Sequence, residues 1–258
     1  MKSTLTVTFL GTGTSQGIPV IGSNHPVCLS ADLKDKRLRV SVLLEWEQFS
    51  YVIDCGPDFR QQMLRAGVQH LDGVLLTHEH NDHVAGLDDI RPFYFRQGDI
   101  SFYAEKRVFQ ALRQRFPYVF EIENKYPGAP TLQEITIEKN TSFEISGKTV
   151  TPVQALHAQL PVLGFRIDDF AYMTDVKTIE PSEKEKLKNL KVLVINALRI
   201  KPHESHLNLE EALALVEELQ PEQTYFTHIS HLLGFHEEVE ATLPPHIRLG
   251  YDMLKLEL

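Results

Sequence analysis

Three histidines and one aspartate lie within six residues of each other in the segment His78-Glu-His80-Asn-Asp82-His83. Zinc, manganese, iron and nickel all accept imidazole and carboxylate ligands. The segment follows Leu71–Thr77, whose apolar run is typical of a buried strand. Because side chains alternate along an extended backbone, we expect His78 and His80 to point the same way. The pattern predicts a metal site at a strand end, whereas a histidine-rich surface turn would not need a buried strand before it.

The composition is that of an ordinary globular chain and fits one domain. Of the 258 residues, 42% are hydrophobic and 24% are charged, which excludes collagen and extended disorder. No apolar run reaches the roughly 18 residues that a membrane helix needs. The start, Met1–Leu10, alternates polar and apolar residues and is typical of a first strand, not of a secretion signal. We therefore expect a single domain over residues 1–258 and no membrane partner.

The net charge limits which binding partners are expected, and the number of cysteines indicates the cellular compartment. The chain carries 26 basic and 35 acidic residues, a formal net charge of −9, which disfavours nucleic acid as a partner. Cys28 and Cys55 are its two cysteines, so a disulfide framework is not indicated and a reducing cytoplasm is expected. Twelve histidines are unusually many for this length.

Strands dominate the pattern, and helices are interspersed among them. The segments that pattern as strands include Ser50–Cys55, Leu71–Thr77, Thr149–Leu156, Phe170–Thr174, Val192–Asn196 and Gln223–Thr227. Helices are predicted over Pro57–Ala66, over Lys106–Phe116, and after Asn208, where Glu211 completes a capping box. Residues 117–147 are ambiguous. The order of elements predicts an α/β fold in which two sheets are covered by helices.

These residues resemble the metallo-β-lactamase superfamily. The HxHxDH pattern after an apolar strand carries the resemblance, and three further segments extend it along the chain: Gly11–Pro19, Asp54–Asp58 and Gly86–Arg91. They are similar to the branch that contains phosphoribosyl cyclic phosphodiesterases and the ribonuclease Z-like tRNA 3′-end endonucleases. The resemblance implies a four-layer αβ/βα sandwich, with a metal site at the sheet edge between its two halves.

The resemblance also implies a set of ligands for two divalent transition-metal ions, zinc or manganese. One ion would take His78, His80 and His157, and the other Asp82, His83 and His228, with Asp175 shared between them. Each of the three later residues follows a predicted strand. Oxygen-reducing diiron relatives have a carboxylate where this chain has His80, so the resemblance implies hydrolysis.

Three further residues have candidate roles, and the resemblance implies those of His206 and Asp54. His206, just before the helix capped by Asn208, would act with Asp82 in catalysis and protonate an alkoxide leaving group, a step worth about 10²–10⁴-fold. The alternative is a surface histidine at a helix entry, and the neighbouring His203 is expected at the surface. Asp54 would support the metal ligands from behind, or else simply form a turn. Arg91 would meet a substrate phosphate, or form an ion pair with Asp88 or Asp89.

A second, structural metal site is implied in a weakened form. Relatives in this branch carry three cysteines and a histidine, and here the matching positions hold Ser23, His25, Cys28 and His231. His25, Cys28 and His231 would still provide three ligands, but a serine hydroxyl is a poor fourth. The alternative is that the site is lost and His231 lies near the other metals.

The preferred function is a phosphodiesterase that acts on a small cyclic phosphate, such as a phosphoribosyl cyclic phosphate, by means of metal-bound hydroxide. A tRNA 3′-end endonuclease is the first alternative. Such enzymes insert a basic arm between the third imidazole and the bridging aspartate, but here only 18 positions separate His157 from Asp175, with Arg166 as their one basic residue. The second alternative is a non-catalytic ligand carrier resembling a quinone-cofactor biosynthesis protein. The substrate, its binding residues and a homodimer are left open.

Overall fold

The computed structural model describes residues 4–258, which form two compact units. The first unit contains residues 4–10, 41–138 and 255–258, and the second contains residues 11–40 and 139–254. Within the described residues, each unit is built on one seven-stranded sheet. The predicted α/β class with two sheets is confirmed, while the single-domain organisation over 1–258 stays a prediction.

The strands are β1 (Thr6–Gly11), β2 (Ser41–Trp46), β3 (Phe49–Ile53), β4 (Gly73–Leu75), β5 (Ile100–Ala104), β6 (Leu132–Thr136), β7 (Phe143–Ile145), β8 (Lys148–His157), β9 (Leu160–Ile167), β10 (Phe170–Tyr172), β11 (Val192–Asn196), β12 (Gln223–Thr227), β13 (Ile247–Leu249) and β14 (Lys255–Glu257). The helices are α1 (Pro26–Leu29), α2 (Phe59–Ala66), α3 (Asn81–Val84), α4 (Arg91–Gln97), α5 (Lys106–Arg115), α6 (Pro117–Phe120), α7 (Pro181–Lys184), α8 (Leu209–Leu219) and α9 (His236–Glu240). Short 3₁₀ turns cover Leu33–Asp35, Leu87–Ile90 and Glu185–Leu187.

In the first unit the strand order is β14-β1-β2-β3-β4-β5-β6. Strands β3 to β6 run parallel, while β1 pairs antiparallel with β14 and β2 with β3. Helices connect the parallel strands, so the chain leaves each of these strands at the same edge of the sheet. Asp54 follows β3, the histidine segment follows β4, and α5 follows β5 at this edge.

In the second unit the strand order is β13-β12-β11-β10-β9-β8-β7. Strands β10 to β13 run parallel, and β7 to β10 run antiparallel to their neighbours. Strand β8 therefore has the same direction as β10. His157, Asp175 and His228, which end or follow β8, β10 and β12, consequently share one edge of this sheet.

The predicted helices are confirmed, with their ends explained by local chemistry. α2 ends at Gly67, whose left-handed φ of 69° suits glycine. α5 buries Val108, Phe109 and Leu112 on one face. α8 begins at a capping box in which Asn208 and Glu211 each bind the other's backbone N–H. No helix within residues 4–258 has the length and apolarity that crossing a membrane requires.

Each unit has its own apolar core. In the first, β4 and β5 contribute Val74, Ile100 and Phe102, all fully buried. In the second, β11 and β12 contribute Leu193, Ile195 and Phe226, also fully buried. Burial on this scale is the main stabilising contribution to folding, and it leaves the strand ends, with their polar residues, outside the cores.

Candidate metal centre

The histidine segment of the first unit brings its imidazoles into contact with each other. The rings of His78 and His80 lie 4.6 Å apart between centroids, and those of His78 and His83 lie 4.1 Å apart. The first contact is the one expected for residues two apart on an extended backbone, which His80 retains with φ −61° and ψ 150°. His83 joins them because the chain turns into α3 directly after His80.

A close backbone approach places α3 against the end of β3. The Cys55 N–H donates to the His83 carbonyl at 2.8 Å. A Cβ on Gly56 would lie only 1.9 Å from the Asp82 carbonyl oxygen, so this approach requires glycine. In the same turn, Asp82 Oδ2 lies 3.3 Å from His83 Nε2.

Asp54 contacts this cluster from its buried side, and its role in supporting metal ligands stays a prediction. Its Oδ2 lies 2.6 Å from His83 Nδ1, and its two oxygens accept hydrogen bonds from the Thr77 N–H at 2.8 Å and the Thr77 hydroxyl at 2.9 Å. The same hydroxyl lies 3.0 Å from His78 Nδ1. Burial raises the pKa of the Asp54 carboxyl, and the His83 imidazole opposes that rise.

The second unit gathers the later predicted ligands at its own sheet edge. Asp175 Oδ1 lies 3.3 Å from His228 Nε2 and 3.0 Å from His206 Nε2. Ligand atoms of His157, Asp175 and His206 all lie within 4.8 Å of one another. The structure thus brings these residues together within this unit, with His206 among them, and their binding of a metal stays a prediction.

The donors of each unit fit a divalent metal ion in spacing and in orientation. Ligands about 2.0–2.1 Å from an ion are separated by roughly 2.8–3.0 Å in octahedral geometry and roughly 3.3–3.4 Å in tetrahedral geometry. Both the His83–Asp82 and the His228–Asp175 separations are 3.3 Å. His83 Nδ1 is occupied by Asp54, and His157 Nδ1 lies 2.8 Å from the Ser205 carbonyl oxygen. Such contacts direct the opposite nitrogen, Nε2, toward a metal.

His206 is buried and closely surrounded. Its side chain is 11% exposed, and its Nδ1 lies 3.0 Å from the Ser205 hydroxyl and 3.3 Å from His203 Nδ1. Its pKa is lowered to about 4, chiefly by burial; Asp175 opposes this lowering, and His228 and His157 add to it. Sequence reasoning placed His203 at the surface, and no local pattern indicated that this half-buried ring contacts His206.

The second metal site, predicted from His25, Cys28 and His231, has one of its expected contacts. The rings of His25 and His231 lie 4.9 Å apart. Cys28 Sγ accepts from the Val20 N–H at 3.5 Å, and His25 Nδ1 accepts from the Val27 N–H at 3.3 Å, which caps α1. Within residues 4–258, the trio is not among the groups whose ligand atoms all lie within 4.8 Å of one another. Metal binding there stays a prediction.

Arg91 forms the ion pair that was the alternative to phosphate binding. Its Nε and Nη2 donate to Asp88 Oδ1 at 2.9 and 2.8 Å, and the Tyr118 hydroxyl donates to the same oxygen at 2.7 Å. This arrangement gives Arg91 a structural role.

Similarity to known proteins extends over the chain. Residues 50–229 match the family described as "Beta-lactamase superfamily domain". A solved structure described as a new diphosphatase from the PhnP family is 37% identical, with a TM-score of 0.93 over 99% of this chain and 97% of that one. The octanoyltransferase of Porphyromonas gingivalis (strain ATCC BAA-308 / W83) is 43% identical over 95% of this chain and 50% of its own length. Ribonuclease Z of Bacillus subtilis (strain 168) is 30% identical over 62% of this chain and 48% of its own length.

The chain spans about half the length of each of these two curated relatives. The match to the diphosphatase, by contrast, is nearly complete in both directions. The two sheets with their helices, the donors at their edges and these similarities agree with one fold and support a hydrolase. The protein therefore belongs to the metallo-β-lactamase superfamily, in its PhnP- and ribonuclease Z-like branch, as a β-lactamase superfamily domain.

Proposed function

We propose that this chain is a dinuclear metal-dependent hydrolase of small phosphate esters, with a cyclic phosphodiester as the preferred substrate class. The proposed ligands are His78, His80 and His157 for one ion, Asp82, His83 and His228 for the other, and Asp175 for both. When bound, such ions would lower the pKa of water and withdraw charge from phosphoryl oxygens. The supporting observation is the 3.0 Å contact of His206 with Asp175, because it sets a hydrogen-bond donor beside a ligand carboxylate.

His206 is proposed to assist the leaving group. The Ser205 hydroxyl and His203 lie against its Nδ1, so Nε2 is the nitrogen that faces Asp175. An alkoxide departs poorly without a proton, and a positioned donor speeds its departure.

Hydrolysis of a small diphosphate is the second candidate. Its support is the diphosphatase relative, which is 37% identical over 99% of this chain. A phosphate leaving group needs little protonation, so this reaction would depend on His206 less than alkoxide expulsion does. The two candidates therefore differ in what the loss of His206 should do.

A tRNA endonuclease is disfavoured by the turn that follows β8. His157 pairs with Leu160 across the β8–β9 hairpin, so Ala158 and Gln159 alone make the connection. Phe170 likewise pairs with Ile167, and the whole interval from His157 to Asp175 consists of tight hairpins. It has no room for the basic arm that the resemblance implies for tRNA-processing members.

Acyl transfer is also disfavoured. It is considered because the Porphyromonas gingivalis relative is named an octanoyltransferase. This chain matches half of that protein's length. A thioester route needs an accessible thiolate, but Cys28 and Cys55 are 3% and 0% exposed, and burial raises the pKa of the Cys55 thiol. Because both are buried free thiols, we keep the cytoplasm as the proposed location.

Turnover by the purified protein, loaded with manganese or zinc, tests the proposal. The substrates are bis(p-nitrophenyl) phosphate, a ribose cyclic phosphate, a dinucleoside diphosphate and a precursor tRNA. We expect cleavage of the cyclic phosphate, and His206→Ala should reduce it by about 10²-fold or more while affecting the p-nitrophenyl ester far less. Preference for the diphosphate would favour the second candidate. A folded, metal-loaded protein that turns over none of these substrates would point to the ligand carrier.

A further inference from the structure

Glu79, the residue between His78 and His80, is held by both ends of helix α5. Its carboxylate forms an ion pair with the guanidinium of Arg107 in the first turn of this helix. Its carbonyl oxygen accepts a hydrogen bond from the guanidinium of Arg115, the last residue of the helix. One helix thus contacts both the side chain and the main chain of a single residue in the histidine segment.

Arg107 is itself fixed from a second side. Its Nη2 and Nε lie 3.0 and 3.1 Å from Glu105 Oε2, and Glu105 is the N-cap residue directly before α5. The topology explains the meeting, because β4 and β5 are parallel neighbours and the chain leaves both at the same sheet edge. The guanidinium therefore bridges the residue after β5 and the segment after β4.

A contribution to folding stability does not explain the ion pair between Arg107 and Glu79. The side chains of Arg107 and Glu79 are 28% and 20% exposed, and ion pairs in contact with solvent contribute little to folding. Along an extended segment, however, Glu79 points away from its two neighbours. His78 and His80 consequently share the other face, where their rings are 4.6 Å apart. Fixing Glu79 from behind therefore fixes the backbone that carries both imidazoles.

We propose that Arg107 and Arg115 are positioning residues that act through Glu79 to hold the metal ligands His78 and His80 in place. The inference rests on the part of the proposed function that assigns these histidines to a metal ion. Groups that orient metal ligands from behind typically change metal affinity by about 10- to 100-fold when they are removed. Here the orienting group acts on the backbone between two ligands, and neither arginine is itself a ligand.

The charge of Arg107 allows a test that separates positioning from electrostatics, because the two predict opposite changes in metal affinity. Removing a cation near a metal site should strengthen metal binding if charge alone matters, since like charges repel. Loss of positioning should weaken it instead. We therefore expect Arg107→Gln to lower manganese and zinc affinity by about 10-fold or more, opposite in sign to the electrostatic effect. The double variant Glu79→Gln/Arg107→Gln keeps the net charge and should show a similar loss.

Arg113 is the matched control. It lies on the same helix and pairs with Glu134 at 2.6 and 2.8 Å on the exposed surface, so Arg113→Gln removes an equal charge without touching the histidine segment. Affinity is measured by competition with a chromogenic chelator, beginning from metal-free protein whose fold is checked by circular dichroism. Arg107→Lys should restore part of the loss, and Arg115→Gln should show a smaller one.

Unchanged or tighter metal binding in folded Arg107→Gln and in the double variant would overturn the proposal, as would an equal loss in Arg113→Gln. If Arg107→Gln does not fold, Arg115→Gln and Glu79→Gln decide the question in the same assay, with unchanged affinity in both counting against it. The measurement uses no substrate, so a chain that shows the expected losses but hydrolyses no phosphate ester contradicts only the proposed function.

Discussion

Asp54 and His83 meet through a 2.6 Å contact between Oδ2 and Nδ1, with both side chains fully buried. Asp54 adopts a φ of 63°, a left-handed conformation uncommon outside glycine. Such backbone strain persists only where surrounding contacts over-determine it. Here the Thr77 N–H and hydroxyl bind the same carboxylate, so His83 is oriented by a group that is itself immobilised.

We expect Asp54→Asn to weaken metal binding by about 10- to 100-fold, because an amide cannot hold the His83 imidazole as a carboxylate does. Competition with a chelator measures this directly. Asp54→Ala should have a larger effect and also lower the melting temperature, since it leaves Thr77 and His83 without their shared partner. Wild-type affinity in Asp54→Asn would show that this contact is only structural.

Asp175 should control metal content. If its carboxylate is shared by two ions, the purified protein should hold about two transition-metal ions per chain, and Asp175→Ala should lose one or both. Elemental analysis after exhaustive dialysis without chelator gives the number. Removal of metal with a chelator should abolish hydrolysis, and added manganese or zinc should restore it. An active, metal-free protein would contradict the mechanism.

Ser205 should affect turnover more than metal binding. Its hydroxyl lies 3.0 Å from His206 Nδ1, whereas its carbonyl oxygen holds His157. Replacement of the side chain removes the first contact, together with the 3.2 Å contact between the hydroxyl and His203 Nδ1, and leaves the second. We expect Ser205→Ala to lower kcat by about 5- to 10-fold, the equivalent of one hydrogen bond, with metal content unchanged.

Ser205→Thr keeps the hydroxyl and serves as the control. It should retain most of the activity that Ser205→Ala loses. A loss of metal in Ser205→Ala would instead assign this residue to the support of His157.

The histidine segment and the strand ends could be predicted from the sequence. Apolar periodicity locates the strands, and the sequence then gives the residues that follow each strand. Strand β12 ends at Thr227, and His228 follows it as predicted. The left-handed backbones of Asp175 and His228, with φ of 56° and 54°, could not be predicted, since neither residue type requires them. They arise from the packing of the strand ends.

Contacts between segments that are distant in the sequence could not be predicted from it either. Glu79 and Arg107 are 28 positions apart, and nothing local in either segment pairs them. Only the parallel pairing of β4 with β5 brings them to one edge. His203 is a different case, because it lies only three residues before His206, and their contact depends on how the chain turns between β11 and α8.

His236 should make the protein sensitive to acid. This buried ring is 2% exposed, and its Nδ1 lies 3.0 Å from Nη2 of the buried Arg37. A guanidinium can only donate, so Nδ1 must accept and cannot carry a proton. Burial, followed by the charge of Arg37, lowers the pKa of His236 from 6.5 to about 4.

The lowered pKa of His236 determines whether the free energy of unfolding rises or falls with pH. Between about pH 6.5 and 4 the unfolded chain binds a proton at His236 that the folded chain does not, so acid favours unfolding. The contribution to the free energy of unfolding is complete above about pH 6.5, is lost progressively as the pH falls toward 4, and amounts to about 1–3 kcal/mol. Urea unfolding at a series of pH values measures it. His236→Asn, which keeps an acceptor for Arg37, should flatten the slope in this window. Equal slopes for wild type and His236→Asn would assign the acid sensitivity to other groups, because the two proteins share every other titrating residue.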